Sequence, residues 1–394
     1  MNSGKNPNSD LIKNPAFTEA QIISIAEMFD ISGKIVASRQ YGNGHINDTF
    51  AIITDDSNPH PKYILQRINH FVFKKPDLVM NNILLVTQTL HKNILAKGGN
   101  PIEESLTIIK VKKNSSHYFV APEGMLGNSK TFWRCYLFIS GETFETFPKG
   151  EQGNNLAHLV GHAFGMFPLN LNGIETKMLN ETIPDFHNGR YRFEKFLEAL
   201  EVNYQNRRKS CENEIRFVNE NQNILSVIPD LLKDGKIPLR VTHNDTKINN
   251  IRIGRNGDRF YDKCVLDLDT VMPGTILYDF GDMVRTGFAQ ALEDEEDLSK
   301  VGINFELFNY LARGFLEATG SSLNEHEKNN LLLSAKYLTF IIGLRFLTDY
   351  LNGDRYFKTS KPDHNLIRTR TQFKMVNEIE KNKSRLEDIL EKLL

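Results

Sequence analysis

His243-Asn244-Asp245-Thr246-Lys247-Ile248-Asn249-Asn250, followed by Val265-Leu266-Asp267-Leu268-Asp269, constrains this chain more than any other stretch. Leu239–Thr242 reads as a short apolar strand or turn that presents His243 and Asp245. Ile251–Ile253 and Lys263–Leu268 flank Asn256-Gly257, a strong hairpin signal. An antiparallel return then brings Asp267 back beside Asn250. If the strand continues, Asp269 points the same way as Asp267. The fold must therefore hold a polar loop against the end of a strand.

Each polar group in this layout has a separate use. Asp245 is placed to orient a hydroxyl and accept its proton. Asn250, five residues on, offers an amide oxygen, and Asp267 a carboxylate, to Mg²⁺; Asp269 is a second or outer ligand. Lys247 reaches a transferring phosphate as a point charge. Phosphoryl transfer needs these parts together. His243 reads as a packed, hydrogen-bonded scaffold for the loop. Asp279-Phe280-Gly281 spells another familiar metal motif, but it lies beyond the breaker Pro273-Gly274. Its spacing suits a structural cap or loop hydrogen-bonder better than a partner for Asn250.

The 48 basic and 49 acidic residues leave a net charge of −1, with a pI near 6.8. That gives no electrostatic case for nucleic acid or an anionic membrane as partner. No uninterrupted apolar run reaches the roughly 18–20 residues of a membrane span. Residues 1–16 read as a polar, flexible tail without a signal-peptide core, so a cytoplasmic location is expected. Cys135, Cys211 and Cys264 form no metal or disulfide spacing and read as reduced core thiols.

The chain changes character near Ser140-Gly141. Before it, a helix over Thr18–Phe29 precedes strands over Lys34–Tyr41, Thr49–Thr54 and Lys62–Ile68. A helix over Asp77–Leu95 follows, then a hairpin of Ser105–Val111 with His117–Ala121, and a strand over Thr131–Ile139. After it, helices are expected over Asn154–Phe167, Gly189–Asn219, Phe305–Ala318, His326–Tyr350 and Gln372–Leu394. The expected class is α+β: residues 17–140 as a small β-rich lobe and 141–394 as a larger, mainly helical lobe. In the first, Gly42 and Gly44 stand between two strands, where backbone amides approach a phosphate or simply turn the chain. His45 and Asp48 at the same turn contact substrate or phosphate, or hydrogen-bond within it.

These features resemble the aminoglycoside phosphotransferase and choline kinase superfamily, with its protein-kinase-like two-lobe fold. The chain is similar, more closely, to the N-acetylhexosamine 1-kinases. The likeness runs through Gly44–Thr49, Tyr63–Asn69, Thr182–His187, His243–Asn250, Leu266–Gly274 and Asp279–Arg285. It continues through Arg345–Asp349, Asp354–Phe357, His364–Leu366 and Arg370–Phe373. The resemblance implies ATP and Mg²⁺ as cofactors, with Asp245 as the catalytic aspartate and Asn250 and Asp267 as metal ligands. It implies an adenine-holding segment at Phe138 and Ile139, and a place for Arg345 in a sugar pocket. The implied reaction is phosphorylation of the anomeric hydroxyl of N-acetylglucosamine or N-acetylgalactosamine. Where the family carries a phosphate-binding lysine this chain has Gln66, with Arg67 beside it, so one of these serves or the loop amides do more. Asn81-Asn82 stand where a partner glutamate is expected.

Other acceptors stay open: choline, homoserine, methylthioribose or an aminoglycoside. So does a nucleotide-binding regulator that transfers nothing. A choline site calls for an aromatic cage, and an aminoglycoside site for an acidic lining. The Arg345, His364, Arg368 and Arg370 cluster resembles neither, though Arg345 reads equally as a salt-bridged helix residue. Monomer and homodimer are both compatible with the sequence.

Overall fold

The computed structural model describes residues 17–42, 46–257 and 259–394. The tail and the calls on Gly44 and His45 lie outside the described residues. The chain divides into two compact units, Met1–Ser140 and Gly141–Leu394.

In the first unit, α1 (Glu19–Ala26) starts at Thr18, whose side chain accepts the Gln21 N–H while Gln21 accepts the Thr18 N–H. This reciprocal cap satisfies two otherwise unpaired donors. Strands β1 (Ile35–Gln40), β2 (Asp48–Thr54) and β3 (Tyr63–Ile68) follow. Next come α2 (Pro76–Ala96), the short α3 (Pro101–Glu104), β4 (Ile108–Ile109), β5 (Phe119–Ala121) and β6 (Thr131–Leu137). The antiparallel sheet runs β1-β2-β3-β6-β4, with β5 also on β6. The expected β4–β5 hairpin does not form. Ile108–Ile109 pairs with Tyr136 and Cys135, and Phe119–Ala121 with Trp133–Thr131, so the two line β6 in succession. Ile22, Ile25 and Phe29 close a core with Tyr63, Leu65, Trp133 and Cys135 on one face of the sheet. Alternation puts Arg67 on that face and Gln66 on the other.

The second unit holds α4 (Glu151–Asn170), α5 (Gly189–Val202), α6 (Glu212–Asn221) and α7 (Ile224–Lys233). Two short ladders follow. Strand β7 (Arg240–Thr242) pairs with β10 (Met272–Gly274), and between them in sequence β8 (Ile251–Asn256) pairs with β9 (Arg259–Val265). Helices α8 (Ile276–Gly287), α9 (Phe305–Thr319), α10 (Glu325–Asn329), α11 (Leu331–Leu351), α12 (His364–Lys381) and α13 (Lys383–Glu391) complete it. Helix α11 is long and apolar enough to cross a membrane, but most of it is buried here, packed on α12, α8 and α5.

Three expected helices are interrupted. Gly189–Asn219 breaks after Val202, where Asn203, Gln205 and Asn206 all take positive φ. Asn330 separates α10 from α11, and Asn382 separates α12 from α13. Asparagine tolerates the left-handed region better than most residues, which suits Asn203 and Asn206, and apolar spacing does not register any of these breaks. Helix α12 also starts at His364, eight positions before the expected Gln372. Its first turns bury His364, Asn365, Arg368, Thr369 and Thr371, so no apolar stripe announces them.

Candidate active site

The loop after β7 is stitched down on all sides. Thr242 pairs with Met272 across the ladder. A Cβ on Gly274 would collide with Thr242 Oγ1 and Asn244 Oδ1, which leaves only glycine there. His243 is fully buried against Phe164 and Phe167. Its Nε2–H donates to the Leu266 carbonyl at 2.8 Å, and its Nδ1 accepts the Asp245 N–H at 3.3 Å. Burial lowers its pKa, which suits that neutral tautomer. His243 thus ties the loop to the end of β9, the scaffold role read from the sequence.

Asn244 takes φ +63. Its Nδ2 donates to the Thr270 carbonyl at 3.0 Å. Asp279, in the first turn of α8 and fully buried, accepts the Asn244 N–H at 2.7 Å and the His243 N–H at 3.0 Å. Its own carbonyl accepts Thr246 Oγ1–H at 2.6 Å. The Asp279-Phe280-Gly281 motif therefore anchors the loop, as its spacing indicated. Burial pushes the Asp279 carboxyl up, and the two backbone donors only partly oppose it, leaving it at about 7.

Asp245 is half-buried. Its Oδ1 lies 2.9 Å from Lys247 Nζ, and Asn250 Nδ2 donates to its carbonyl at 2.8 Å and to Oδ2 at 3.1 Å. Burial alone would raise this carboxyl. The ammonium of Lys247, with His243 and Asn250, outweighs it and brings Asp245 to about 2. Lys247 is correspondingly held above its usual range by Asp245, Asp282 and Glu293, against its own burial.

The Asn250 carbonyl accepts the Leu266 N–H at 2.7 Å, so Asp267 stands one residue from Asn250's strand partner. The expected alternation to Asp269 fails. The strand stops at Val265, Asp267 takes φ +52, and Leu268–Thr270 forms a 3₁₀ turn. Asp267 is exposed whereas Asp269 is 2% exposed. With Nδ2 engaged on Asp245, the Asn250 amide leaves Oδ1 as its remaining oxygen. One amide oxygen and one exposed carboxylate are hard donors of the kind Mg²⁺ takes alongside water and phosphate. Among the described residues no three His, Cys, Asp or Glu side chains converge as an all-protein cage.

Arg345, on α11, lies with its guanidinium carbon 4.8, 5.5 and 5.4 Å from the ring centres of Phe186, Tyr356 and Phe357. Next to Phe186, His187 donates from Nε2 to the Asn244 carbonyl at 2.9 Å. Phe186 and His187 thus link Arg345 to the peptide preceding Asp245. His187 is buried and its pKa is pushed down to about 3, by burial first and then by Arg345 and Arg192.

In the first unit, Gly42 takes φ +70 with open space around it. Arg67 Nε and Nη2 both reach Asp48 Oδ2, at 2.7 and 2.6 Å. The residues expected to meet nucleotide and substrate thus meet each other across β2 and β3. Gln66 donates to Thr49 Oγ1 at 3.1 Å and accepts from Arg134 Nε at 3.0 Å. Arg134, 1% exposed, is the cation on the Gln66 face. Phe138 N–H donates to the Lys62 carbonyl at 2.9 Å, its ring meets Tyr41 edge-on, and Ile139 is buried.

Asp245, Lys247 and Asn250 therefore come into direct contact, with Asp267 nearby and Arg345 linked through His187. Sequence reasoning did not give roles to His187, Asn244, Arg134 or the rings around Arg345. The signal available was the acid-then-aromatic pattern shared by Asp185-Phe186-His187 and Asp354-Arg355-Tyr356-Phe357.

Residues 120–311 match the family model for the phosphotransferase enzyme family, APH. Among solved structures, a choline kinase from Cryptosporidium parvum Iowa II matches 93% of this chain and 96% of its own, at 14% identity and TM-score 0.59. A spectinomycin phosphotransferase in complex with ADP and spectinomycin matches 94% and 99%, at 12% identity and TM-score 0.55. An ethanolamine kinase from Plasmodium vivax matches 94% and 95%, at 13% identity and TM-score 0.53. At these identities the likeness is one of fold. The chain has the protein-kinase-like fold of these enzymes, and the family match supports a small-molecule phosphotransferase.

Proposed function

We propose that this chain transfers the terminal phosphoryl group of ATP to the anomeric hydroxyl of an N-acetylhexosamine, giving the sugar 1-phosphate and ADP. The observation that carries the choice of acceptor is Arg345. A fixed guanidinium, joined through Phe186 and His187 to the peptide before Asp245, disfavours cationic acceptors such as choline, ethanolamine or aminoglycosides. A neutral sugar carries no such penalty. The stretches that resemble the N-acetylhexosamine 1-kinases point the same way, and the ADP held by the spectinomycin enzyme of this fold supports a nucleotide donor.

Asp245 accepts the hydrogen bond of the attacking C1 hydroxyl and holds it in line with the phosphorus. A carboxylate at about 2 is a weak base. Its work is orientation first, with the proton moving late as the bond to phosphorus forms. Lys247 Nζ, 2.9 Å from Asp245 Oδ1, would offset charge on the transferring group. Asn250 Oδ1 and the Asp267 carboxylate would hold Mg²⁺, which supplies charge neutralisation on the nucleotide phosphates. Gly42 and the Phe138–Ile139 segment are proposed for the nucleotide.

The test is ³¹P NMR with Mg-ATP and a panel of N-acetylglucosamine, N-acetylgalactosamine, glucose, galactose, choline and homoserine. An anomeric phosphate signal that appears only with N-acetyl sugars is the expected result. A phosphorus signal with choline instead overturns the acceptor. ATP binding with no product from any acceptor favours a regulator.

A further inference from the structure

Three rings around an organic cation form an aromatic cage, a site normally built for a ligand. Here the chain's own Arg345 fills it, with Nη2 also donating to Tyr356 Oη at 3.3 Å. What makes this informative is how the walls are held. On one side, Arg192 donates from Nε and Nη2 to the Phe186 carbonyl at 3.0 and 2.9 Å. His187 is fixed by the Asn244 carbonyl, and its own carbonyl accepts Tyr337 Oη–H at 2.8 Å. On the other side, the buried Asp349 accepts the N–H groups of Arg355 and Tyr356 on Oδ1, each at 2.8 Å, and that of Phe357 on Oδ2 at 3.0 Å. Asn365 Nδ2 braces Asp349 Oδ2 at 2.9 Å and Asp354 Oδ1 at 2.8 Å. The Phe357 ring rests on Phe346. None of these bonds is made by Arg345.

A cage whose walls stand without their occupant is preformed, and a tethered cation inside it outcompetes a free one through effective concentration. We propose that Arg345 is a specificity-determining plug: it occupies a preformed aromatic cage and thereby closes the acceptor side to organic cations. Truncating it opens a site for a small one such as tetramethylammonium or guanidinium. The filtering role rests on the acceptor reading above, whereas the cage itself does not.

The experiment uses the full chain with Arg345→Ala and, to retain most of the side-chain bulk, Arg345→Gln. Tetramethylammonium and guanidinium chlorides are titrated at constant ionic strength without nucleotide, read by ligand NMR line broadening and by thermal melting. The expected result is saturable cation binding to Arg345→Ala that is at least about tenfold tighter than to the wild type. Arg345→Gln should lie between them. If both variants melt like the wild type yet bind neither cation better than it does, the proposal falls. Failure of both variants to fold overturns it equally, because the walls are argued to stand without the plug. Cation binding by Arg345→Ala, with no sugar phosphorylation by the wild type, upholds the cage and discards the acceptor reading.

Discussion

At Asp245 three neighbours decide the chemistry. Asp245→Asn keeps the side-chain shape, so nucleotide affinity should change little while kcat falls by about 10²-fold or more; unchanged turnover would sink the proposed role. The same carboxylate makes stability depend on pH. Its pKa lies near 2 when folded and at 3.8 for an unperturbed aspartate. Its stabilising contribution is therefore complete above about pH 4 and drains away as pH falls toward 2. Urea midpoints of wild type and Asp245→Asn should converge across that window and differ by a constant amount above it. His187 offers a cleaner test of positioning. His187→Phe keeps a ring against Phe186 and Tyr278 but strips the donor from the Asn244 carbonyl. The expected outcome is a roughly tenfold or greater drop in kcat, with KM for ATP steady and partial recovery in His187→Gln. A parallel rise in KM for ATP would argue for general loosening of the fold.

Among the elements, α8 carries the loop rather than the metal. Removing the Asp279 carboxylate leaves two buried N–H groups without acceptors. Asp279→Ala should cost about 2–4 kcal/mol of stability, measured as a lowered denaturant midpoint at unchanged slope. Most of this level was legible in the sequence, because the site is local. His243, Asp245, Lys247 and Asn250 lie within eight positions, and the β8–β9 hairpin folds Leu266 back on Asn250. What spacing could not give was Asp269, since a single residue at φ +52 ends the alternation. Nor could it give the pairing of Arg67 with Asp48, which depends on strand register. The cage was hidden for another reason. Its parts come from positions 186, 345 and 356–357, and no periodicity connects them.

Over the whole molecule, each unit has its own core, and the fold is shared at 12–14% identity with enzymes of different acceptors. Fold class was accessible because all strands of the larger sheet precede Ser140 while α4–α13 all follow it; acceptor identity rests on a handful of side chains. Helix α11 shows how the larger core is closed. Leu338, Ile341, Leu344 and Leu347 have no exposed surface, and Phe340 meets Phe373 of α12. A chain stopped at Asn352 should be insoluble, whereas one continued through α12 should gain solubility, as measured by centrifugation after expression. On the ribosome the same geometry becomes a matter of order. Helix α11 leaves the exit tunnel before α12 does, and until α12 follows, the face of α11 that α12 covers is open to water while α5 and α8 already offer partners for the rest. Nascent chains paused in that interval are where a chaperone would be expected to bind.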